Sequence, residues 1–401
     1  MNLPRLRFKE FSGEWEEKKL ESITKEKISY GIVQAGPHVN DGVPYIKSSN
    51  VGGAIDLNQL QRTSNAIHYK YRRSAVHPND IVFSLRGNIG QVSIVPTEIV
   101  EANLTQGTAR ISVDDINDNK FVYFQMQTEG FLDGINARSK GSTFQEISLG
   151  DLRMVPIMQS SKPEQTKIAN FLTEVDEKIT QITQKADLLA RYKKGVMQQL
   201  FSQQLRFKDD DGQNFPEWID LKLADTSTIV GGGTPDTTVK EYWNGDIQWF
   251  TPTELKTKYM SKSLRTITLS GLKNSSAKVL PVGTLLFSSR ATVGDISIAL
   301  NECTTNQGFQ SFIVNDLNCN KFIYYWILNN KNLFIEKASG STFLEISKKE
   351  IEKLKIKTPS LPEQTKIANF LTSIDDKISH NQTQLNALKQ YKQGLLQQLF
   401  V

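Results

Sequence analysis

The chain has 401 residues, and at roughly 100–200 residues per domain this length favours two or more domains. Hydrophobic residues make up 38% of the chain and charged residues 23%, a mixture typical of folded rather than disordered protein. The sequence contains no apolar run long enough to predict a membrane-spanning helix and no apolar core of a secretory signal. Two cysteines and four scattered histidines form no zinc motif and predict a cytoplasmic protein without disulfides. The net charge of +5 is too small to identify a partner.

The sequence repeats itself in order along the chain. PEQTKIANFLT at 163–173 recurs unchanged at 362–372, and GSTFQEIS at 141–148 recurs as GSTFLEIS at 340–347. Four further blocks match in the same order, the last being YKKGVMQQLF against YKQGLLQQLF. Six matched blocks in one order indicate that the chain is a duplication of a single unit.

Each half begins with a region of mixed character. In the first half, short β-branched segments bounded by Gly, Asn, Asp and Pro predict strands at VPYIKSSN, DIVFSLRG, QVSIVP, TARISV and LRMVPIM. One helix is predicted from Lys120 to Arg138, and a second, equivalent helix from Lys321 to Ala338. The predicted fold class is therefore α+β, with two duplicated mixed α/β domains at 1–162 and 204–361.

Each half ends in a long predicted helix, at 163–203 and 362–401. Apolar residues in these segments recur in heptads, a pattern typical of a narrow seam that needs a partner helix. The residues expected in helix packing are Ile168, Leu172, Val175, Ile179, Ile182, Leu189, Ile367, Leu371, Ile374, Ile378, Leu385 and Leu388. The same rows also place Lys193 and Lys392 in the seam. A short connection at 202–204 favours an antiparallel coiled coil of the two helices with pseudo-two-fold symmetry. The alternative is that each helix packs on its own globular domain.

The sequence contains no phosphate-binding loop, no dinucleotide-binding motif and no zinc-protease motif. It also lacks the Asn-Pro-Pro-aromatic motif of adenine methyltransferases. The paired PEQTKIANFLT helices, the GSTFxEIS segments, the FSxR turns and the stretch GGGTPDTTVKEYWNGDIQWF resemble the specificity subunit of type I restriction-modification systems. The resemblance covers the whole chain in two copies.

The resemblance implies two target-recognition domains, each reading one half of a bipartite, asymmetric sequence in double-stranded DNA. It also implies that two modification subunits dock on the helices and carry S-adenosylmethionine and the adenine-methylating chemistry, and that restriction subunits use ATP and Mg. This chain would then bind no cofactor or metal, catalyse nothing of its own and associate with no membrane. Two alternatives are a DNA-binding adaptor without restriction and a coiled-coil scaffold that binds protein only.

The duplication separates two kinds of candidate DNA contact. Residues alike in both halves suit contacts common to any DNA, whereas aligned residues that differ suit base discrimination. The residues alike in both halves are Arg86 and Arg290, Gln106 and Gln307, Ser142 and Thr143, and Ser341 and Thr342. The aligned residues that differ are Lys47, Ser48 and Asn50 against Thr251, Thr253 and Glu254. Alternatives stay open: salt bridges for the arginines, and turn-stabilising roles for the glutamines and for the GST segments.

Net charge is spread evenly over the four segments, so an electrostatic footprint needs clustering of basic residues on one face. One candidate cluster is Arg72 and Arg73 with Lys70, Tyr69 and Tyr71. The other contains Lys256, Lys258, Lys262 and Arg265. The alternative for both is ordinary solvated loop charge.

Residues 1–203 contain one complete domain and one complete helix, so the repeat predicts the behaviour of this fragment alone. The first helix has Ile182 where the second has Asn381, which makes its seam the more apolar. We expect the fragment to form a two-fold symmetric dimer that, with modification subunits, methylates a palindrome built from the first half-sequence. Analytical ultracentrifugation would show the dimer, and mapping of methylated adenines would show the palindrome. A soluble, strictly monomeric fragment would contradict the interpretation of the seam.

Overall fold

The computed structural model describes residues 3–32, 34–139, 145–340 and 344–400. The chain divides into two compact units. The first unit is Met1–Gln184 with Gln382–Val401, and the second unit is Lys185–Asn381. Each long helix therefore contributes one segment to each unit, whereas the sequence pattern separated the helices from the globular domains.

The first unit alternates strands and helices. Its strands are β1 Glu16–Lys19, β2 Ser29–Tyr30, β3 Val43–Ile46, β4 Gln61–Thr63, β5 Ile81–Ser84, β6 Val92–Ile94, β7 Asn103–Leu104, β8 Thr108–Ile111 and β9 Pro156–Gln159. Its helices are α1 Asn65–Lys70, α2 Asn119–Gln125, α3 Glu129–Arg138, α4 Leu149–Arg153 and the first part of α5 Lys162–Phe201. The strands form sheets in the orders β2-β8-β5-β6, β4-β3-β7 and β1-β9. All pairs are antiparallel except β3 with β7.

The second unit repeats this arrangement. Its strands are β10 Ile219–Lys222, β11 Ser227–Gly231, β12 Trp243–Phe250, β13 Tyr259–Met260, β14 Arg265–Ile267, β15 Leu285–Phe287, β16 Ile296–Ala299, β17 Thr304–Thr305, β18 Gln310–Val314 and β19 Lys355–Thr358. Its helices are α6 Leu223–Thr226, α7 Leu269–Lys273, α8 Asn320–Asn329, α9 Lys331–Glu336, α10 Lys348–Lys353 and the first part of α11 Leu361–Leu399. The sheets have the orders β11-β18-β15-β16-β13, β14-β12-β17 and β10-β19. The predicted mixture of helix and sheet in two copies is confirmed.

The predicted helix from Lys120 to Arg138 is wrong as a single element, because it breaks into α2 and α3. The Thr128 hydroxyl donates to the Gln125 carbonyl at the end of α2 (2.8 Å) and accepts from the Phe131 N–H at the start of α3 (3.3 Å). This one side chain ends one helix and caps the next. The equivalent helix of the second half also breaks, at Asn330 between α8 and α9, but the Asn330 side chain does not cap α9.

The predicted strand LRMVPIM is also partly wrong, because Leu152 and Arg153 form the end of α4. The Ser148 hydroxyl accepts from the Asp151 N–H (3.0 Å) and caps this short helix. The extended segment begins only at Pro156. The helix capped by Ser148 therefore forms where the β-branched pattern predicts the start of a strand.

The apolar core of the first unit contains side chains from both long helices and from the sheets. Ile168 and Leu172 of α5 lie in one buried cluster with Leu395 and Leu399 of α11 and with Phe121 of α2. The core of the second unit likewise combines Val196 and Leu200 of α5, Ile367 and Leu371 of α11, and residues of β15 and α8. The helix segments therefore pack on each other and on a globular core at the same time, and the alternative of domain packing holds in part.

The residues expected in helix packing differ in burial. Buried side chains are Ile168, Leu172, Val175, Ile367, Leu371, Ile374 and Leu385. Ile179 and Leu388 pack partly buried on the first core, and Ile378 packs on the second. Ile182 and Leu189, in the middle of α5, are half-buried. Burial is thus strongest in the segments of each helix that touch a globular core.

The two lysines of the heptad rows form ion pairs. Lys193 Nζ lies 2.5 Å from Asp375 Oδ1 in the second unit, and Lys392 Nζ lies 2.7 Å from Asp176 Oδ1 in the first. Each pair joins one helix segment to the other within its unit. A polar pair in an otherwise apolar seam is the kind of contact that specifies the register of two helices.

In the described residues, no helix combines the length and apolarity needed to cross a membrane.

A buried carboxylate at the start of each long helix joins it to the preceding LRFK segment. Arg7 Nε and Nη2 donate to Glu164 (2.7 and 2.9 Å), and Arg206 Nε and Nη2 donate to Glu363 (3.2 and 3.0 Å). The glutamate side chains are 2% and 0% exposed. A carboxylate is also favoured in the first turn of a helix by the helix dipole.

Removing the Glu363 carboxylate should therefore destabilise the second unit. Glu363→Ala leaves Arg206 without its buried partner. We expect a loss of about 2 kcal/mol, less than the roughly 3–5 kcal/mol of fully buried pairs, because water still reaches Arg206. Hydrogen exchange measured by mass spectrometry should show reduced protection in β10 and β19. Glu164→Ala is the matched control and should reduce protection in β1 and β9 instead. Equal losses in both units with either variant would contradict this assignment.

Candidate nucleic-acid interface

Four segments that lie apart in the sequence meet in the first unit. The Ser48 hydroxyl and the Leu85 N–H both donate to the carbonyl oxygen of Gly107 (2.8 and 2.9 Å). The Ile147 N–H, just after the GSTF segment, donates to the Leu85 carbonyl (3.1 Å). A Cβ on Gly107 would lie 2.8 Å from Ser48 Oγ and 3.2 Å from Arg86 Nε, so a larger residue here would displace the Ser48 hydroxyl. These contacts form one surface from the KSSN segment (47–50), the FSLR turn (83–86) and the QG turn (106–107).

The same segments meet in the second unit. The Ser289 N–H donates to the Gly308 carbonyl (2.8 Å), and the Ile346 N–H donates to the Ser289 carbonyl (2.9 Å). A Cβ on Gly308 would lie 2.9 Å from Pro252 Cγ, in the TPTE segment. Ser142, Thr143, Ser341 and Thr342 lie outside the described residues. The residues after them, Glu146 and Glu345, form backbone bridges with the two FSxR arginines.

The two FSxR arginines differ in their partners. Arg290 Nε donates to Glu345 Oε2 (3.0 Å) and its Nη2 to Glu345 Oε1 (2.9 Å), so its guanidinium is held by a bidentate pair. Arg86 is half-buried, and no carboxylate of the described residues pairs with it. The structural salt bridge left open by the sequence is therefore present in the second unit, whereas the Arg86 guanidinium makes no such pair with a described residue.

The segments that differ between the halves use part of their polar atoms within the protein. Asn50 Oδ1 accepts from the Lys47 N–H (3.0 Å) and holds a 3-10 turn. Glu254 Oε2 accepts from the N–H and from the hydroxyl of Thr251 (both 2.7 Å), and Glu254 Oε1 accepts from the Leu264 N–H (2.7 Å). Asn50 and Glu254 thus cap equivalent turns, and Thr253 is exposed on one of them. These structural roles stand beside the base contacts predicted for the same residues.

The two glutamines lie beside the glycines of the QG turns. Gln307 is exposed, and its Oε1 accepts from the Thr234 hydroxyl of the GGGTP segment (2.5 Å). Gln106 is half-buried, and its backbone N–H donates to the Ile32 carbonyl (3.0 Å). The GGGTP segment therefore belongs to the same surface as the QG turn of the second unit.

The two predicted basic clusters differ in the exposure of their side chains. Arg72 and Arg73 form an exposed 3-10 turn, with Arg72 Nε 3.4 Å from Glu101 Oε1. Arg73 has no carboxylate partner within the described part of the chain. The prediction that Lys258 is an exposed contact is wrong, since its Nζ donates to Tyr325 Oη (2.6 Å) and to Asp375 Oδ2 (3.0 Å) and its side chain is only 13% exposed. Tyrosine rings and a carboxylate on packed helices hold this ammonium inside the second unit.

Among the residues that the structure describes, no cluster of three or more His, Cys, Asp or Glu side chains could hold a metal ion. What both units present is a set of turns with hydroxyl, amide and guanidinium donors, which suits binding of phosphates and base edges.

Comparisons with known proteins agree with this arrangement. The family model of the type I restriction modification DNA specificity domain matches residues 12–190 and 216–390. The type I restriction enzyme MjaIX specificity subunit of Methanocaldococcus jannaschii is 36% identical over 208 residues, which are 50% of this chain and 48% of that protein. The putative MjaX specificity subunit of the same organism is 24% identical over 412 aligned residues, 98% of this chain and 95% of that protein.

A solved structure shares the fold. The crystal structure of the type I restriction-modification S subunit from M. genitalium aligns with a TM-score of 0.63 at 18% identity, covering 100% of this chain and 99% of that chain. Two matches of the family model, one in each half and together spanning most of the chain, show that this chain belongs to the family of type I restriction-modification DNA specificity domains.

Proposed function

We propose that this chain is the DNA-recognition subunit of a type I restriction-modification complex and that each unit reads one half of a bipartite, asymmetric sequence in double-stranded DNA. The observation that carries the proposal is that both units assemble the same turns into one surface with different exposed side chains. Backbone contacts such as those of Gly107 and Gly308 are equivalent, whereas Lys47 and Thr251 are not. A common frame with different side chains is suited to reading two different half-sequences.

We further infer that α5 and α11 pair as an antiparallel coiled coil. In the first unit, the start of α5 packs with the end of α11, and in the second unit the end of α5 packs with the start of α11. The ion pairs of Asp176 with Lys392 and of Asp375 with Lys193 follow the same order. Contacts in this order are those of two antiparallel helices.

The exposed faces of these helices suit docking of partner subunits. Tyr192 and Tyr391 occupy equivalent positions and are each 52% exposed, and Leu188 is 65% exposed. Tyrosine is enriched in protein interfaces because it combines apolar area with a polar group. We propose that two modification subunits bind here and supply S-adenosylmethionine and the methylation chemistry, and that restriction subunits supply ATP-driven cleavage. In this division of labour the chain itself binds no cofactor and catalyses no reaction.

Exchange of one recognition domain tests the proposal. Residues 204–361 are replaced by the equivalent segment of a relative, and methylated adenines are mapped by single-molecule sequencing in cells that also express the modification subunits. We expect the second half-sequence to change and the first to stay, because each surface is built within one unit. The reciprocal exchange of residues 1–162 is the matched control. Changes in both halves, or in neither, would contradict independent reading.

The difference between Arg86 and Arg290 gives a second test. Arg86→Ala should weaken binding of any duplex by the assembled complex by about tenfold, the scale of one charged hydrogen bond. It should also reduce the slope of log affinity against log salt by about one. Arg290→Ala, the matched control, should have a smaller effect because Glu345 already satisfies that guanidinium. Binding measured by fluorescence anisotropy over a salt series distinguishes the two, and equal losses would contradict the proposed availability of Arg86.

A further inference from the structure

Residues 204–361 contain three arginines, and two of them are used inside the protein. Arg206 pairs with Glu363 and Arg290 pairs with Glu345. Arg265 is exposed, and its side chain makes no ion pair with a residue that the structure describes. Its guanidinium lies instead against an aromatic surface.

Two tryptophans fix the position of Arg265. Its Cζ lies 3.6 Å from the ring centroid of Trp243 and 5.6 Å from that of Trp249. The two rings meet edge to face at 5.0 Å and are 7% and 4% exposed. The indole N–H of Trp243 donates to the Asp236 carbonyl (3.1 Å), and that of Trp249 donates to the Gly233 carbonyl (2.9 Å). The platform beneath the guanidinium is therefore buried and fixed by its own hydrogen bonds.

Stacking leaves the rim of the guanidinium free. The contact with Trp243 uses the flat face of the group, whereas its five N–H donors lie in the plane at its edge. No described residue accepts a hydrogen bond from this side chain. Arg265 also begins β14, an edge strand of the sheet β14-β12-β17. An oriented, unoccupied fork on an exposed edge is suited to two parallel hydrogen bonds with a partner outside the chain.

The surroundings of Arg265 belong to the candidate interface. The preceding residue, Leu264, is 86% exposed, and its N–H is held by Glu254 of the TPTE segment (2.7 Å). Trp249 pairs with Thr304 of β17, the strand that precedes the QG turn of Gln307. An exposed apolar side chain beside a free guanidinium suits a base edge, where thymine methyl groups and hydrogen-bond acceptors alternate.

The first unit has a different residue at the same strand position. Arg265 lies opposite Trp249 in the pairing of β12 with β14, and Gln61 lies opposite Tyr45 in the pairing of β3 with β4. Gln61 Oε1 accepts from Tyr45 Oη and from Lys47 Nζ (both 2.6 Å). Because an ammonium group only donates, the amide atom facing Lys47 is the oxygen, and the NH₂ group points elsewhere. Gln61 is exposed as well, so an aromatic-supported nitrogen donor occurs here in both units.

We propose, on the basis of the proposed function, that this strand position reads a base in each half-sequence and that Arg265 reads a guanine of the second half through two hydrogen bonds to its O6 and N7. Guanine is the base that presents two acceptors side by side in the major groove, matching the arginine fork. Gln61, with its oxygen engaged and its NH₂ free, reads an acceptor in the first half.

The experiment uses the full chain assembled with its modification subunits and the bipartite sequence found by mapping methylated adenines. Each guanine of the second half-sequence is replaced in turn by 7-deazaguanine, which lacks N7, and binding of each duplex is measured. We expect one replacement to weaken binding of the unsubstituted protein about tenfold, the scale of one charged hydrogen bond, because O6 still accepts the other. The same replacement should have no further effect on Arg265→Ala, which lacks both hydrogen bonds and should itself bind the natural duplex about tenfold to a hundredfold more weakly.

Two matched variants separate base reading from charge. Arg265→Lys keeps the charge but lacks the planar fork, so it should reduce the response to 7-deazaguanine while keeping the salt dependence of binding. Gln61→Ala should relax discrimination in the first half-sequence only. Hydrogen exchange in β12 and β14 reports folding, and the lysine variant provides the test if the alanine variant is destabilised.

Three results would overturn the proposal. Arg265→Ala could weaken binding equally for every base substitution, with the loss reproduced by a methylphosphonate at a single phosphate, which would make Arg265 a backbone contact. Both Arg265 variants could instead bind and discriminate like the unsubstituted protein. If the unsubstituted complex methylates no bipartite sequence at all, the proposed function itself fails, and this outcome is distinguishable because it precedes any substitution.

Discussion

Both units depend on burial of the first turns of a long helix in a globular core. The segment PEQTKIANFL is identical in the two halves, and its Glu, Gln, Ile, Ala and Leu side chains are buried in both. Gln165 Oε1 accepts from the Asp118 N–H and its Nε2 donates to Asn117, while Gln364 makes the equivalent bonds to Cys319 and Asn318. A buried amide that must satisfy its donor and acceptor together fixes the helix on the domain, which accounts for a glutamine at this position in both halves.

The helix junctions are equivalent but not identical, and the second is the more polar. Burial by itself would raise the pKa of Asp375, but hydrogen bonds from Lys193 and Tyr325 hold it below its usual value. A lowered pKa means that this carboxylate stabilises the folded state above its unfolded pKa and that the stabilisation is lost as pH falls through the folded pKa. In the first unit, Asp176 meets Lys392 beside Phe124, a ring without a hydroxyl. The second domain is therefore joined to its helix by one more charged group, Lys258.

The sequence predicted what depends on periodicity and repetition. A single sequence shows heptads and repeated blocks. It therefore predicts the duplication, the two long helices and the mixed domains. The break at Thr128 is not predictable in this way. A threonine inside an apolar helical pattern becomes a cap only when its hydroxyl bonds to Gln125 and Phe131. The charged neighbours of Lys258 in the sequence predict an exposed side chain, and only packing shows that it reaches Asp375. The equivalence of Gln61 and Arg265 depends on strand register, which a single sequence does not specify.

The two surfaces show how recognition can change while the fold does not. Contacts that hold the turns together use backbone atoms and buried side chains, as at Gly107 and Gly308, so substitutions at exposed positions leave them intact. The exposed donors are in turn held by aromatic residues: the Tyr45 hydroxyl donates to the Gln61 side chain, and the rings of Trp243 and Trp249 lie under Arg265. A change of donor therefore requires a matching change of support, but it requires none in the helices. Specificity can diverge between the halves in such pairs of substitutions while the buried turns that join each long helix to its core stay unchanged.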